Sequence, residues 1–311
     1  MHRLRTWQLF AICVLTWGTT WHAITYQVGQ VAPEFGVALR FGLAGLVVLA
    51  GCLLSGRSLR FDWRAHAAFA LQGGFMYGVS YICVYHAERH VPSGLVAVGY
   101  SASPLVSGLG ALLLFGVAVT RGFVFGGMLG LAGVALIFWP EFGKAADADA
   151  TSLGTLYTAA SVLLSTIGSL SASRNRQRGL PLWPALGFGM VYGALVAAAI
   201  AFAFSRSFVL PTAPSWWITL VYLALAGSVM TFACFLTLQD RVGPGPAGAI
   251  GVMTPLLALV VSLAFEGYRP DATTAAGAVL AMLGNALMLR PRRGHAPTAA
   301  APLKAGAAAA E

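Results

Sequence analysis

The sequence predicts an all-α integral membrane protein with ten transmembrane helices in two inverted five-helix repeats. Three observations carry that prediction. The chain is 58% hydrophobic and only 9% charged, whereas soluble domains sit near a quarter charged. Apolar runs long enough to span a bilayer recur from end to end, and they are continuously apolar instead of alternating as barrel strands do. A stretch of the first half also recurs in the second.

The spans fall at residues 7–27, 34–54, 67–87, 93–115, 123–139, 153–172, 182–204, 215–238, 244–265 and 271–289, with Gly, Pro, Ser and Asp at most of the short turns between them. The first follows MHRLRTW, a positive start like that of a signal peptide. Its apolar run continues to Tyr26 without a small-residue cleavage site, so it reads as a retained helix. The second carries a lone Arg40. The third carries a Tyr77, Tyr81, Tyr85 stripe at helical spacing, and the fourth has Pro104 near its middle. The fifth is Gly-rich, and Ser161, Ser165, Thr166 and Ser169 give the sixth a polar side suited to close packing or cavity lining. The eighth opens with Trp216 and Trp217, which with Tyr26 read as an interfacial aromatic belt. The ninth and tenth repeat the fourth and fifth.

The net charge of +9 does not point to nucleic acid, because the basic residues occupy short loops and form no stripe. Arg3 and Arg5 precede the first span. Arg57, Arg60 and Arg64 lie in the second loop, Arg121 in the fourth, Arg174, Arg176 and Arg178 in the sixth, and Arg241 in the eighth. Arg290, Arg292, Arg293 and Lys304 follow the last span. With ten spans all of these share one side, and the other holds only Arg89, Lys144, Arg206 and Arg269. The positive-inside rule then places both termini in the cytoplasm of a bacterial inner membrane. Cys13, Cys52, Cys83 and Cys234 lie in apolar runs without CxxC spacing and read as buried free thiols.

VPSGLVAVGYSASPLVSGLGALLLFG (from Val91) aligns without gaps to VGPGPAGAIGVMTPLLALVVSLAFEG (from Val242). Pro104-Leu105 falls on Pro255-Leu256 and Gly116 on Gly267; the same offset pairs Gly126 with Gly277 and Gly133 with Gly284. Five spans per half is an odd number, so the second half enters the membrane the opposite way. The expected division is 1–145 for the first repeat, 151–290 for the second and a disordered cytoplasmic tail at 291–311, Ala- and Pro-rich from His295. Pro104 and Pro255 are candidate hinges, since proline frees a backbone carbonyl and lets a helix bend; tolerated packing kinks are the plainer reading.

These segments resemble the EamA-type drug/metabolite transporter family. LTWGTTWHAI (from Leu15) is similar to its first-helix W-G-[ST] signature, VALRFGLAG (from Val37) to its second-helix arginine motif, and AERHVPSGLVAVGYSASPL (from Ala87) to the stretch entering its fourth helix. GMLGLAGVALIF (from Gly127) resembles its Gly-rich fifth helix. The resemblance implies ten helices in two inverted repeats, and export or exchange of small metabolites, often amino acids. The family often ends its fourth and ninth helices with Gly-Glu. Here Glu266-Gly267 approximates this, while Phe115-Gly116 does not.

None of the acidic residues lies near the centre of a span, so a deep carboxylate for a proton-coupled cation pump is missing. Proton coupling would fall on His22, or on Glu88 and Glu266 near the outer surface. His22 reads either as a packing histidine or as a titrating one in a wet cavity. His86 and His90 share a helical face near Cys83 and Glu88, at a spacing a metal could use, but at the interface; no metal or other cofactor is expected. Trp17, Trp21, His22, Tyr77, Tyr81, Tyr100 and Tyr157 are candidate substrate contacts; deep Tyr and Trp need polar partners, and core packing is the competing reading. Arg40 has three readings: snorkelling to headgroups, an ion pair with Glu88 or Glu266, or a cation that receives a substrate carboxylate.

The expectation is a secondary transporter, not an enzyme, with a small molecule and the lipid bilayer as its partners. Its substrate class is small neutral or zwitterionic metabolites, amino acids first and aromatic ones among them. A nucleotide-sugar or organophosphate exchanger and a cation or drug efflux protein are the alternatives. Nothing in the chain reads as a nucleotide-binding motif or a membrane-embedded catalytic set.

Overall fold

The computed structural model describes residues 4–116, 120–144, 148–206, 209, 211–242, 250–267, 269 and 271–288. Among these residues the chain forms ten helices. They are α1 (Thr6–Thr25), α2 (Pro33–Leu54), α3 (Trp63–Ala87), α4 (93–115), α5 (Arg121–Lys144), α6 (Ala148–Gln177), α7 (Leu182–Ala203), α8 (Pro214–Val242), α9 (Ile250–Phe265) and α10 (Ala272–Met288). The tail from residue 289 lies outside the described residues.

Local chemistry sets many of the boundaries. Pro33 and Pro214 occupy the first turn of α2 and α8, where a missing N–H costs nothing. The Asp62 carboxylate accepts from the Ala65 N–H at 2.9 Å and caps α3. Asp271 does the same for α10 through the Thr274 N–H at 2.8 Å. Gly116 closes α4 and Gly267 closes α9, both at φ 66, a left-handed conformation that glycine adopts without a Cβ clash. The two glycines that the repeat alignment pairs therefore share one backbone role.

Five helices span a membrane by length and apolarity alone: α2, α3, α6, α7 and α8. Shorter apolar stretches lie in α5, α9 and α10. The packing shows how the ten complete one bundle. α1 lies against α8 and α9 just as α6 lies against α3 and α4, while α2 pairs with α7 and α5 with α10. Exchanging the halves maps each contact onto another, as an inverted repeat requires.

Glycine drives the α5–α10 contact. A Cβ at Gly126 would sit 2.6 Å from the Gly284 carbonyl oxygen, and one at Gly133 2.6 Å from that of Gly277. The alignment relates Gly126 to Gly277 and Gly133 to Gly284, so the contacts run crosswise, as a two-fold axis dictates. Lipid tails are as apolar as leucine, and close backbone approach replaces the hydrophobic effect as the source of association.

Two irregularities were not legible in the sequence. α3 and α8, the third helix of each repeat, contain π-helical segments at Gly74–Val79 and Leu223–Met230. Their last residues are separated along the chain by the same interval as Pro104 and Pro255. A 3-10 turn at Tyr100–Ala102 precedes Pro104 in α4, whereas Pro255 sits inside α9.

One belt assignment needs correcting. Trp216 is fully buried against Val31, Phe35, Ala201 and Leu220, while Trp217 and Tyr26 are exposed. Successive helical side chains diverge by roughly 100°, so two adjacent tryptophans cannot both face the interface. All four cysteines are buried free thiols.

Candidate functional site

Arg40 is only 1% exposed. Its Nε donates to Ser228 Oγ at 3.1 Å, and its Cζ stands 4.7 Å from the Tyr81 ring centre and 5.1 Å from that of Phe41. The Ser228 hydroxyl donates to the Leu223 carbonyl five residues back, at 2.9 Å. The widened turn of the π segment thus turns the serine oxygen toward the guanidinium. Gly227 makes the approach possible, since a Cβ there would lie 2.7 Å from a Thr20 methyl and 3.4 Å from Arg40 Nη2.

Arg40 therefore does not snorkel. Nor does it pair: among the described residues no carboxylate oxygen comes within 4.0 Å of it, and its Nη1 is sealed from solvent without a partner.

The aromatic candidates separate into two groups. Trp17, Trp21, Tyr77, Tyr81 and Tyr100 join the core cluster that contains Phe41 and Phe232. Trp17 meets Phe232 at 5.2 Å and donates its indole N–H to the Gly227 carbonyl at 3.3 Å. Tyr77 lies between Phe41 at 5.3 Å and Phe232 at 5.0 Å, and Trp21 meets Tyr100 at 5.1 Å. The Tyr77 hydroxyl and the Trp21 N–H are buried without hydrogen-bond partners. Tyr157 is elsewhere, stacked on His86 at 5.0 Å and on His90 at 6.4 Å. His86 Nε2 in turn is 3.1 Å from Glu34 Oε1, so its ring pairs with a carboxylate.

His22 pairs with a carboxylate. Its Nδ1 lies 3.0 Å from Glu266 Oε1, and Glu266 further accepts from the Ser93 hydroxyl and, at 2.9 Å, from Ser262. Burial alone pushes the Glu266 carboxyl up, but the hydrogen bonds from Ser93, His22 and Ser262 outweigh it and hold the group below its ordinary value. The cluster ties α1 and α4 to the end of α9.

Glu88, one residue beyond α3, is the counterpart without support. Both of its carboxylate oxygens are sealed from solvent and have no hydrogen-bond partner. Burial, reinforced by the negative charge of Glu266 and opposed by Arg40, holds its carboxyl well above the ordinary range. Glu34, in the first turn of α2, is likewise buried, with Arg206 Nε 3.4 Å from the oxygen that His86 contacts. Above it lies a cleft of about 250 Å³ flanked by Arg89 and Arg206.

Phe41, Ser228 and Phe232 escaped the sequence reading. For Ser228 a signal existed: the gapless offset that maps Pro104 onto Pro255 also maps Tyr77 onto Ser228.

Comparison with known proteins agrees with this architecture. The chain is 29% identical over 272 residues to YedA, an uncharacterized inner membrane transporter of Escherichia coli K12, covering 83% of this chain and 82% of that one. It is 25% identical over 286 residues to a biotin transporter of Salmonella typhimurium, covering 88% and 91%. A protein known from a crystal structure shares the fold, with TM-score 0.67 at 24% identity over 90% of this chain and 94% of that one. The description "EamA-like transporter family" matches twice, at residues 5–139 and 152–290, once for each half of the inverted bundle. The two matches together take in nearly every helix of the bundle, and the chain belongs to the EamA-like transporter family.

Proposed function

We propose that this multi-pass membrane transporter moves a small zwitterionic metabolite, an amino acid foremost and aromatic ones included, by alternating access between its two halves. The observation that carries the reading is Arg40: a buried guanidinium on Ser228 and Tyr81, with a free Nη1 and no carboxylate within pairing distance. A buried cation without a counter-ion is costly, and a substrate carboxylate relieves that cost through charge-assisted hydrogen bonds. Trp17, Trp21, Tyr77, Tyr81 and Tyr100 supply the apolar and aromatic surroundings. The biotin transporter among the relatives supports carboxylate recognition, because biotin is itself a carboxylic acid. An organophosphate would call for more cations than Arg40, and a lipophilic cation would be repelled by it.

The bias of basic residues toward one set of loops supports reading both termini as cytoplasmic in a bacterial inner membrane, and the matched positions of Pro104 and Pro255 support reading them as hinges. A reporter active only in the cytoplasm, fused after Glu311, checks the orientation by its activity.

The test is counterflow in proteoliposomes preloaded with unlabelled amino acids, using labelled phenylalanine and leucine outside. Exchange is expected in the wild-type protein and is lost in Arg40→Ala and reduced in Tyr81→Ala. If no amino acid moves while the vesicles stay tight, the amino-acid assignment is wrong.

A further inference from the structure

We infer that Glu88 receives the ammonium group of the substrate bound at Arg40, and that it surrenders a proton as it does so. The inference rests on the amino-acid reading above and adds a second binding group and a coupling rule to it.

Two orphaned groups face the same interior. Arg40 presents an unpartnered donor, and Glu88 presents two unpartnered oxygens, all sealed from water. Buried polar atoms in folded proteins almost always find partners, and a pair of opposite orphans calls for a shared ligand. The two side chains feel each other's charge, yet they stand beyond the 4.0 Å of an ion pair. A molecule with a negative group at one end and a positive group at the other would partner both. An α-amino acid has that form. Its carboxylate meets the guanidinium, and its ammonium meets Glu88.

The surroundings decide the state of Glu88 when no substrate is present. Glu266 faces it from the end of α9, already satisfied by Ser93, Ser262 and His22 of α1. Tyr85 faces it from α3, and Arg40 from α2. Arg89 adjoins it in the chain, while His86 is paired with Glu34, and Tyr157 of α6 stacks on His86 and His90. Burial and the ionised Glu266 both oppose a second negative charge, so the empty site holds Glu88 as the neutral acid. When the substrate arrives, the Glu88 O–H bond breaks, its proton leaves to water, and the carboxylate pairs with the ammonium. No other bond changes. The empty site carries the charge of Arg40 alone; the loaded site is neutral, with one proton released for each zwitterion taken up.

The experiment uses the full-length protein in lipid nanodiscs and three probes: L-phenylalanine, N-acetyl-L-phenylalanine and phenethylamine. Titration calorimetry in two buffers of different ionisation enthalpy counts protons. L-phenylalanine is expected to release one proton per molecule bound. Glu88→Gln abolishes that release and weakens L-phenylalanine by roughly tenfold or more. N-acetyl-L-phenylalanine, which lacks the ammonium, binds both forms equally without releasing a proton. Phenethylamine binds more weakly than L-phenylalanine, because Arg40 repels it. A separate infrared measurement without ligand is expected to show a protonated carboxyl band at neutral pH that Glu88→Gln removes.

If L-phenylalanine binds without proton release and Glu88→Gln changes nothing, the Glu88 assignment is overturned and the Arg40 reading stands. Absence of the infrared band overturns the proton step. If neither acid binds, or Arg40→Ala binds both as before, the substrate reading itself falls and takes this inference with it.

Discussion

Burying Arg40 costs the fold stability. Desolvating a guanidinium costs several kcal/mol, and one serine hydroxyl with two aromatic faces returns only part of that. Arg40→Met is therefore expected to keep or raise the apparent melting temperature in detergent while counterflow disappears. A clear drop in melting temperature would assign Arg40 a structural role. Arg40→Lys keeps the charge but loses the planar fork, and transport is expected to fall by about tenfold or more. The carboxyl groups of Glu266 and Glu88 have opposite signatures. Glu266 is held below its ordinary value, so its stabilisation is present above that value and is lost as pH falls through the lowered one. Glu266→Gln should flatten the acid limb of a melting-temperature profile. Glu88 is held above its ordinary value, so it destabilises the fold increasingly as pH rises toward the raised one. Glu88→Gln should melt higher than wild type at neutral and alkaline pH, with the difference closing in acid.

At the scale of elements, the π segments in α3 and α8 do what a regular helix cannot. The segment in α8 lets Ser228 donate five residues back and still face Arg40, and it leaves Gly227 bare where Arg40 and Thr20 press in. Gly227→Val would push on both neighbours, and it is expected to abolish transport while the protein still elutes as a folded particle. Gly133 at the α5–α10 seam is a purely structural glycine. Gly133→Leu forces the two backbones apart and is expected to cost about 1–3 kcal/mol or more, read as a lowered melting temperature whether or not substrate is present.

Over the whole molecule, α1, α4 and the end of α9 are latched by His22, Ser93, Ser262 and Glu266. α1 and α4 belong to the first half and α9 to the second, so the proposed alternating access would have to open this seam. A Cβ at Gly94 would lie 3.0 Å from the Ser262 Cβ, so a small outward shift brings the pair into the roughly 3.5–4.5 Å a disulfide takes. Oxidation of the Gly94→Cys, Ser262→Cys double variant is expected to stop counterflow, and reduction to restore it. Undiminished exchange in a fully cross-linked sample would mean that the halves do not part here.

Hydropathy, the side on which the basic loops fall, and the Pro104/Pro255 offset were enough to read ten helices and two inverted halves from the chain, because bilayer thickness and backbone hydrogen bonding leave few alternatives. The repeat even contained the crossed glycine contacts of α5 and α10. The site was only half legible. Arg40 and most of its aromatic neighbours stood out as misfits in apolar runs, whereas Trp216 was assigned to a surface it does not reach. A one-dimensional pattern gives depth and helical face; it does not say which faces of distant helices meet. Ser228, Phe232 and Glu266 come from the second half, and only packing the two halves brings them against Arg40, Trp17 and His22 of the first. The same packing seals Glu88 from water, and its chemistry follows from that burial, a property no residue has until the chain has folded.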